Sequence, residues 1–311
     1  MRIRWLIILV VVALAIILVT LYLVMNPEKR ELDEATRARL GGTYVRLSRG
    51  VTHYALEGPL KGQVVVLVHG APMIPMFAWD EIAPILTAAG FRALRYDMYG
   101  RGYSDRPRVT YNRALYHDQL LELLDALNLH EPLDLLGYSF GGAIVTDFAA
   151  QHPERVRRLA LISPIVYNYP TPRAFRLPVI GEFLGRIIGV RTVTKRANSM
   201  VEGTRFGQHH SALFAEQTTY KGFQASLLSM IRSDAIGDHR DSYKAVGKQK
   251  YRVLLIWGSR DTEIPEEVIN TARKLIPQVE FHVVQDAGHG ILFQKPEQVS
   301  AILINFLGSN P

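Results

Sequence analysis

The chain has 311 residues, of which 48% are hydrophobic and 21% charged, a balance that excludes a disordered or fibrous protein. It contains no cysteine, so disulfide scaffolds, thiolate metal sites, iron–sulfur clusters and cysteine nucleophiles are excluded together. The formal charge of +7 permits anionic lipid or nucleic acid as a partner without selecting either, and no nucleic-acid-binding motif is present.

The first element is the least ambiguous. Trp5 to Met25 is a run of 21 residues without a charge. As a helix it would be about 31 Å long, enough for a hydrocarbon core of about 30 Å. The run is longer than the apolar part of a cleavable signal peptide, and Leu23-Val24-Met25-Asn26-Pro27 offers no small-x-small cleavage site. Residues 1–27 are therefore expected to form an uncleaved, single-pass membrane anchor. Arg2 and Arg4 precede the span, while Lys29, Arg30, Arg37 and Arg39 come after it, so the flanks nearly balance. A four-residue tail with two arginines suits a cytoplasmic N-terminus, with the rest of the chain on the non-cytoplasmic side.

Residues 28–42 read as a charged, helix-compatible linker ending at Gly41-Gly42. Period-2 stretches at Thr43–Ser48 and Val51–Leu56 flank Arg49-Gly50 and predict a hairpin. Short apolar runs come next, at Val64–Val68, Arg92–Tyr96, Leu133–Leu136, Leu159–Ile162, Val253–Trp257 and Phe281–Val284. Continuous runs of this kind suit strands buried on both faces of a parallel sheet. Helix-period stretches alternate with them at Ala78–Ala89, Tyr111–Leu127, Gly141–Ala150, Glu266–Leu275 and Pro296–Leu307. The expected fold class is α/β, a mostly parallel sheet flanked by helices, with its core in two parts, 43–164 and 245–311. Between them, 165–244 contains no strand-like run and is too long for a structureless loop, so it is expected to be an inserted helical cap. The cap holds eleven basic and six acidic residues. Leu177, Val179, Ile180, Phe183, Leu184, Ile187 and Ile188 form an apolar face at roughly helical spacing. That face could pack on the core over a pocket, or dock with its basic surroundings against anionic headgroups.

Gly137-Tyr138-Ser139-Phe140-Gly141 has the spacing Gly-x-Ser-x-Gly, after a buried strand and before a helix of small and apolar residues. A sharp strand-to-helix turn of that kind strains the serine backbone and exposes its hydroxyl at the sheet edge. On these residues the chain resembles the α/β-hydrolase family, from about Val51 to Leu307. The family order of nucleophile, acid and histidine then directs attention downstream.

Asp261 stands just beyond the strand 252–257, where a carboxylate could accept from a histidine Nδ1–H and fix its tautomer. His289 stands in Asp286-Ala287-Gly288-His289-Gly290, after the last strand, where flanking glycines let a loop approach Ser139. Rival carboxylates are Asp97, in a turn that is usually structural in the family, and Asp286, too local to His289 to brace it. The resemblance also implies an oxyanion hole. His69-Gly70-Ala71-Pro72 would curl beneath the nucleophile, with the backbone N–H groups of Ala71 and Phe140 as donors. Pro72 has no N–H, and His69 is expected to bond loop backbone rather than act in catalysis.

Haloalkane dehalogenases and epoxide hydrolases resemble this plan but need Asp where Ser139 stands, and a serine acts on an acyl group. The expectation is a membrane-anchored serine hydrolase for esters of lipophilic substrates, similar to monoacylglycerol lipases, with no metal or organic cofactor required. A thioesterase or a carbon–carbon bond hydrolase would use the same three residues, and a non-catalytic binding protein of this fold would usually have lost one. Phe183 and Ile187 are the positions expected to tune acyl chain length.

Overall fold

A computed structural model describes residues 2–71 and 75–308. Eight strands form one sheet: β1 (Thr43–Leu47), β2 (Gly50–Glu57), β3 (Val64–Val68), β4 (Arg92–Tyr96), β5 (Leu133–Tyr138), β6 (Val156–Ile162), β7 (Arg252–Gly258) and β8 (Glu280–Val284). Their order is β1-β2-β4-β3-β5-β6-β7-β8. β1 and β2 are antiparallel to their neighbours, whereas β3 to β8 are mutually parallel.

Burial explains why the sequence signals these strands as runs rather than alternations. Every residue of β5 is buried, as is all but the first of β3 and of β7. The edge strands β1 and β8 each bury only their last residue. Helices Ile82–Ala88, Arg113–Ala126, Phe140–Gln151, Glu266–Leu275 and Pro296–Gly308 alternate with the strands along the chain. Because the parallel strands all end at one edge, the turns after β3, β5, β7 and β8 lie along that edge.

Between β6 and β7 the chain is helical, with Ile180–Leu184, a π turn at Gly185–Gly189, Val190–Val201, Gly207–Gln217, Phe223–Arg232 and Arg240–Val246. A division at Lys244 would fall inside the last of these helices. That helix sits on Phe140–Gln151, where His239 Nδ1 lies 3.0 Å from Asp147 Oδ2. The apolar stretch 177–188 is not one amphipathic helix. Leu177 and Val179 precede the first turn, and the π turn shifts the helical phase of the residues after Leu184. Its glycines permit close packing: a Cβ at Gly185 would lie 3.0 Å from Gln224 Nε2.

The N-terminal helix runs from Arg2 to Val24. Ile3–Val24 is the one helix among the described residues long and apolar enough to cross a membrane, and no part of its apolar window is buried. The stretch after it does more than link. Glu28 is buried, and its carboxylate accepts from the N–H groups of Gly222 (2.9 Å) and Gln224 (2.6 Å), capping helix Phe223–Arg232. Arg30 N–H donates to Thr219 O at 3.0 Å, and Lys221 N–H donates to Arg30 O at 2.9 Å. Helix Glu34–Leu40 then starts on Asp33, whose side chain accepts from Thr36 N–H, and closes at Gly41 with φ 72°.

Capping from a distant segment is worth what a local cap is worth. Glu28→Ala is expected to lower unfolding free energy by about 1–2 kcal/mol in denaturant titration of the detergent-solubilised protein. Glu34→Ala, at an exposed position in the same segment, should change it by less than about 0.5 kcal/mol.

Candidate active site

β5 ends at Tyr138, and the next residue takes the whole change of direction. Ser139 has φ 54° and ψ −116°, a conformation that L-residues rarely adopt. Backbone bonds hold it there. Ser139 N–H donates to Ile162 O at 2.9 Å, and Ser139 O accepts from Gly142 and Ile165 N–H, each at 3.0 Å. The helix behind the turn crowds β3 so closely that a Cβ at Gly141 would lie 2.2 Å from Val68 O. Glycine is required there by close approach.

His289 lies between the other two candidates. Its Nε2 is 3.0 Å from Ser139 Oγ and its Nδ1 is 2.9 Å from Asp261 Oδ2. All three residues are buried. The other Asp261 oxygen, Oδ1, accepts from the N–H groups of Glu263 and Ile264, each at 2.9 Å. Burial by itself would raise the Asp261 carboxyl, but the hydrogen bond and charge of His289, with Ile264 N–H, hold it below its ordinary value. Its ionisation therefore stabilises the fold above that ordinary value, and the contribution is lost as pH falls through the depressed one. An ionised acceptor at Nδ1 places the ring proton there and leaves Nε2 free to accept from Ser139. Tyr138 O–H donates to His289 O at 2.5 Å and fixes the loop.

The rival carboxylates are occupied elsewhere. Asp97 is buried and accepts from His53 Nδ1 (2.7 Å), Met76 N–H (2.8 Å) and Tyr103 N–H (2.9 Å), organising its own turn. Asp286 pairs with Arg260 on the surface at 2.5 Å. His69 Nε2 accepts from Met98 N–H at 2.9 Å, so Nδ1 carries the proton and donates to Gly70 O at 2.6 Å. It braces the loop, as its sequence context suggests.

That loop presses against the serine: a Cβ at Gly70 would lie 3.1 Å from Ser139 Cβ. Ala71 and Phe140 both line a predominantly apolar cavity of about 410 Å³. Pro72 lies outside the described residues. Among the described residues, those lining the cavity do not include Phe183 or Ile187. Ile188, Leu227 and Ile231 line the cavity, whereas Phe183 stacks on Tyr22 of the N-terminal helix with ring centroids 6.4 Å apart. A polar group at the cavity wall is also unforeseen by sequence reasoning. Arg196 pairs with Glu263 and donates to Tyr169 Oη at 2.5 Å, and Glu263 Oε2 lies 3.6 Å from His289 Nε2. Only the position of Glu263, two residues after Asp261, could have hinted at it.

Residues 63–296 match the model of the alpha/beta hydrolase fold family. Among curated relatives, 2-hydroxymuconate semialdehyde hydrolase of Pseudomonas sp. (strain CF600) is 28% identical over 79% of this chain and 87% of its own. Lipase 1 of Psychrobacter immobilis is 26% identical over 76% of this chain and 74% of its own. Among solved structures, a loop variant of a haloalkane dehalogenase from Bradyrhizobium elkanii superposes with a TM-score of 0.73 at 18% identity, covering 86% of this chain and 95% of that one. With the sheet order, the strained serine turn and the matched residues in agreement, the chain belongs to the α/β-hydrolase fold family.

Proposed function

We propose that the protein is a membrane-anchored serine hydrolase that cleaves carboxylic esters of lipophilic substrates through an acyl-enzyme. One observation carries this reading: His289 bridges Ser139 and Asp261 at 3.0 and 2.9 Å beside an apolar cavity. In the proposed reaction Ser139 Oγ attacks the acyl carbon while His289 Nε2 takes its proton. The backbone N–H groups of Ala71 and Phe140 receive the developing oxyanion, and Asp261 stabilises the imidazolium. His289 returns the proton to the leaving alcohol. A water then repeats the sequence on the acyl-serine, releasing the carboxylic acid. No step calls on a cofactor. Helix Ile3–Val24 is read as the anchor, with the remaining chain on the non-cytoplasmic side.

A second reading, hydrolysis of a carbon–carbon bond, is favoured by the similarity to the semialdehyde hydrolase. Against it, Arg196 is the one cation among the described residues lining the cavity, and Glu263 neutralises it. An unpaired cation would suit a charged substrate better. Thioester cleavage uses the same groups and is separated from ester cleavage by substrate alone. A panel of p-nitrophenyl esters of rising chain length, run beside an acyl thioester and a ring-opened semialdehyde, decides among the three.

Ser139→Ala should lower ester turnover by roughly 10⁴-fold or more, because the three residues act as a unit. Wild-type-like rates in the purified variant would sink the mechanism. Asp261→Asn should leave the fold intact and lower turnover by about 10³–10⁴-fold, since the histidine would hold the wrong tautomer. An active Asp261→Asn beside a folded but inactive Asp97→Asn would name the other carboxylate. Leu227→Phe narrows the cavity, and each methylene it excludes forfeits about 0.8 kcal/mol, or roughly fourfold in specificity. The chain-length optimum should therefore shorten while acetate turnover changes little.

A further inference from the structure

Leu177, Val179 and Ile180 are 50%, 80% and 50% exposed, separated only by Pro178. Single apolar residues on a surface are ordinary, but a contiguous run marks a contact. Val179 also holds a φ of 65°, which is unfavourable for a β-branched residue.

The run lies at the foot of the N-terminal helix. Helix Ile180–Leu184 brings Phe183 against Tyr22, and the Arg186 guanidinium sits 4.0 Å over the Tyr22 ring. Tyr22 is two residues from the end of that helix, at the depth where tyrosine favours a bilayer interface. Glu28 and Arg30 then tie the chain just after that helix to residues 219–224 through four hydrogen bonds. Exposed Arg173, Arg176 and Arg191 belong to the same part of the cap, where anionic headgroups would meet them. The cavity lined by Ala71 and Phe140 reaches the surface there too, because its exposed lining residues include Pro172, Ile188 and Thr192, on either side of the run.

We infer that residues 177–180 insert into the bilayer leaflet from which the anchor emerges, and that the cavity opens toward this leaflet. A lipophilic substrate then passes from hydrocarbon to Ser139 without crossing water. The inference rests on reading Ile3–Val24 as a membrane span and Ser139 as an esterase nucleophile.

The absence of native cysteine makes the test direct. Full-length Val179→Cys carries an environment-sensitive nitrobenzoxadiazole label in vesicles of phosphatidylcholine and phosphatidylglycerol with a lipid-borne spin quencher. Leu60→Cys, 82% exposed in the loop at the far end of the parallel strands, is the reference. Quenching at position 179 should exceed that at position 60 by roughly threefold or more. In parallel, Val179→Asp combined with Ile180→Asp should slow hydrolysis of a long-chain monoester embedded in the vesicles by about tenfold, with p-nitrophenyl acetate turnover within about twofold of wild type. Equal, weak quenching at both positions overturns the inference, as does undiminished turnover of the embedded ester by the double variant. If the wild-type protein cleaves neither ester, the esterase reading fails, and the quenching alone still decides where the run lies.

Discussion

The turn at Ser139 is the constraint on which the rest of the structure depends. A residue with φ 54° between a fully buried strand and a helix is stable only where every neighbour leaves it no alternative. β6 supplies the carbonyl of Ile162 for its N–H, and the chain entering the cap supplies Ile165 N–H for its carbonyl. β3 presses so near that position 141 must be glycine. With the serine fixed, the parallel order β3-β5-β6-β7-β8 brings the loops of Ala71, Asp261 and His289 to the same edge. Geometry at the site is thus a consequence of sheet order, and single loops need contribute only one group each.

A second dependence joins the N-terminal helix to the cavity. The carboxylate of Glu28 caps helix Phe223–Arg232, and Leu227, Leu228, Met230 and Ile231 of that helix line the cavity. Glu28 comes only a few residues after Val24, the last residue of the apolar helix. A segment that could have served only as a tether therefore supports the cavity wall, through two hydrogen bonds accepted by a buried carboxylate.

Much of this was legible in the sequence because its causes are local. Strands buried on both faces appear as unbroken apolar runs, so β3 coincides with the expected residues. Ser139 announces itself because its turn demands glycines at fixed offsets, and His289 and Asp261 come just after β8 and β7. What stayed hidden depends on pairing across long separations. Glu28 and Gly222 are 194 positions apart, and nothing in a stretch of charged residues says that one of them is a cap. The π turn at Gly185–Gly189 rotated the apolar residues of the cap, so Phe183 faces Tyr22 while Ile188 reaches the cavity. Helical periodicity could not register that shift, because it presumes a constant twist. The pairing of Arg196 with Glu263 was equally out of reach, since it joins the cap to the loop after β7.

The central claim is that Ser139 forms a covalent bond with the acyl group of an ester. The most direct measurement is peptide mass spectrometry on wild-type protein quenched in acid during turnover of an activated long-chain ester. The account requires an adduct of one acyl group on the peptide containing Ser139, lost as substrate is exhausted. Steady turnover with no adduct, or with the acyl group on a peptide lacking Ser139, would contradict it.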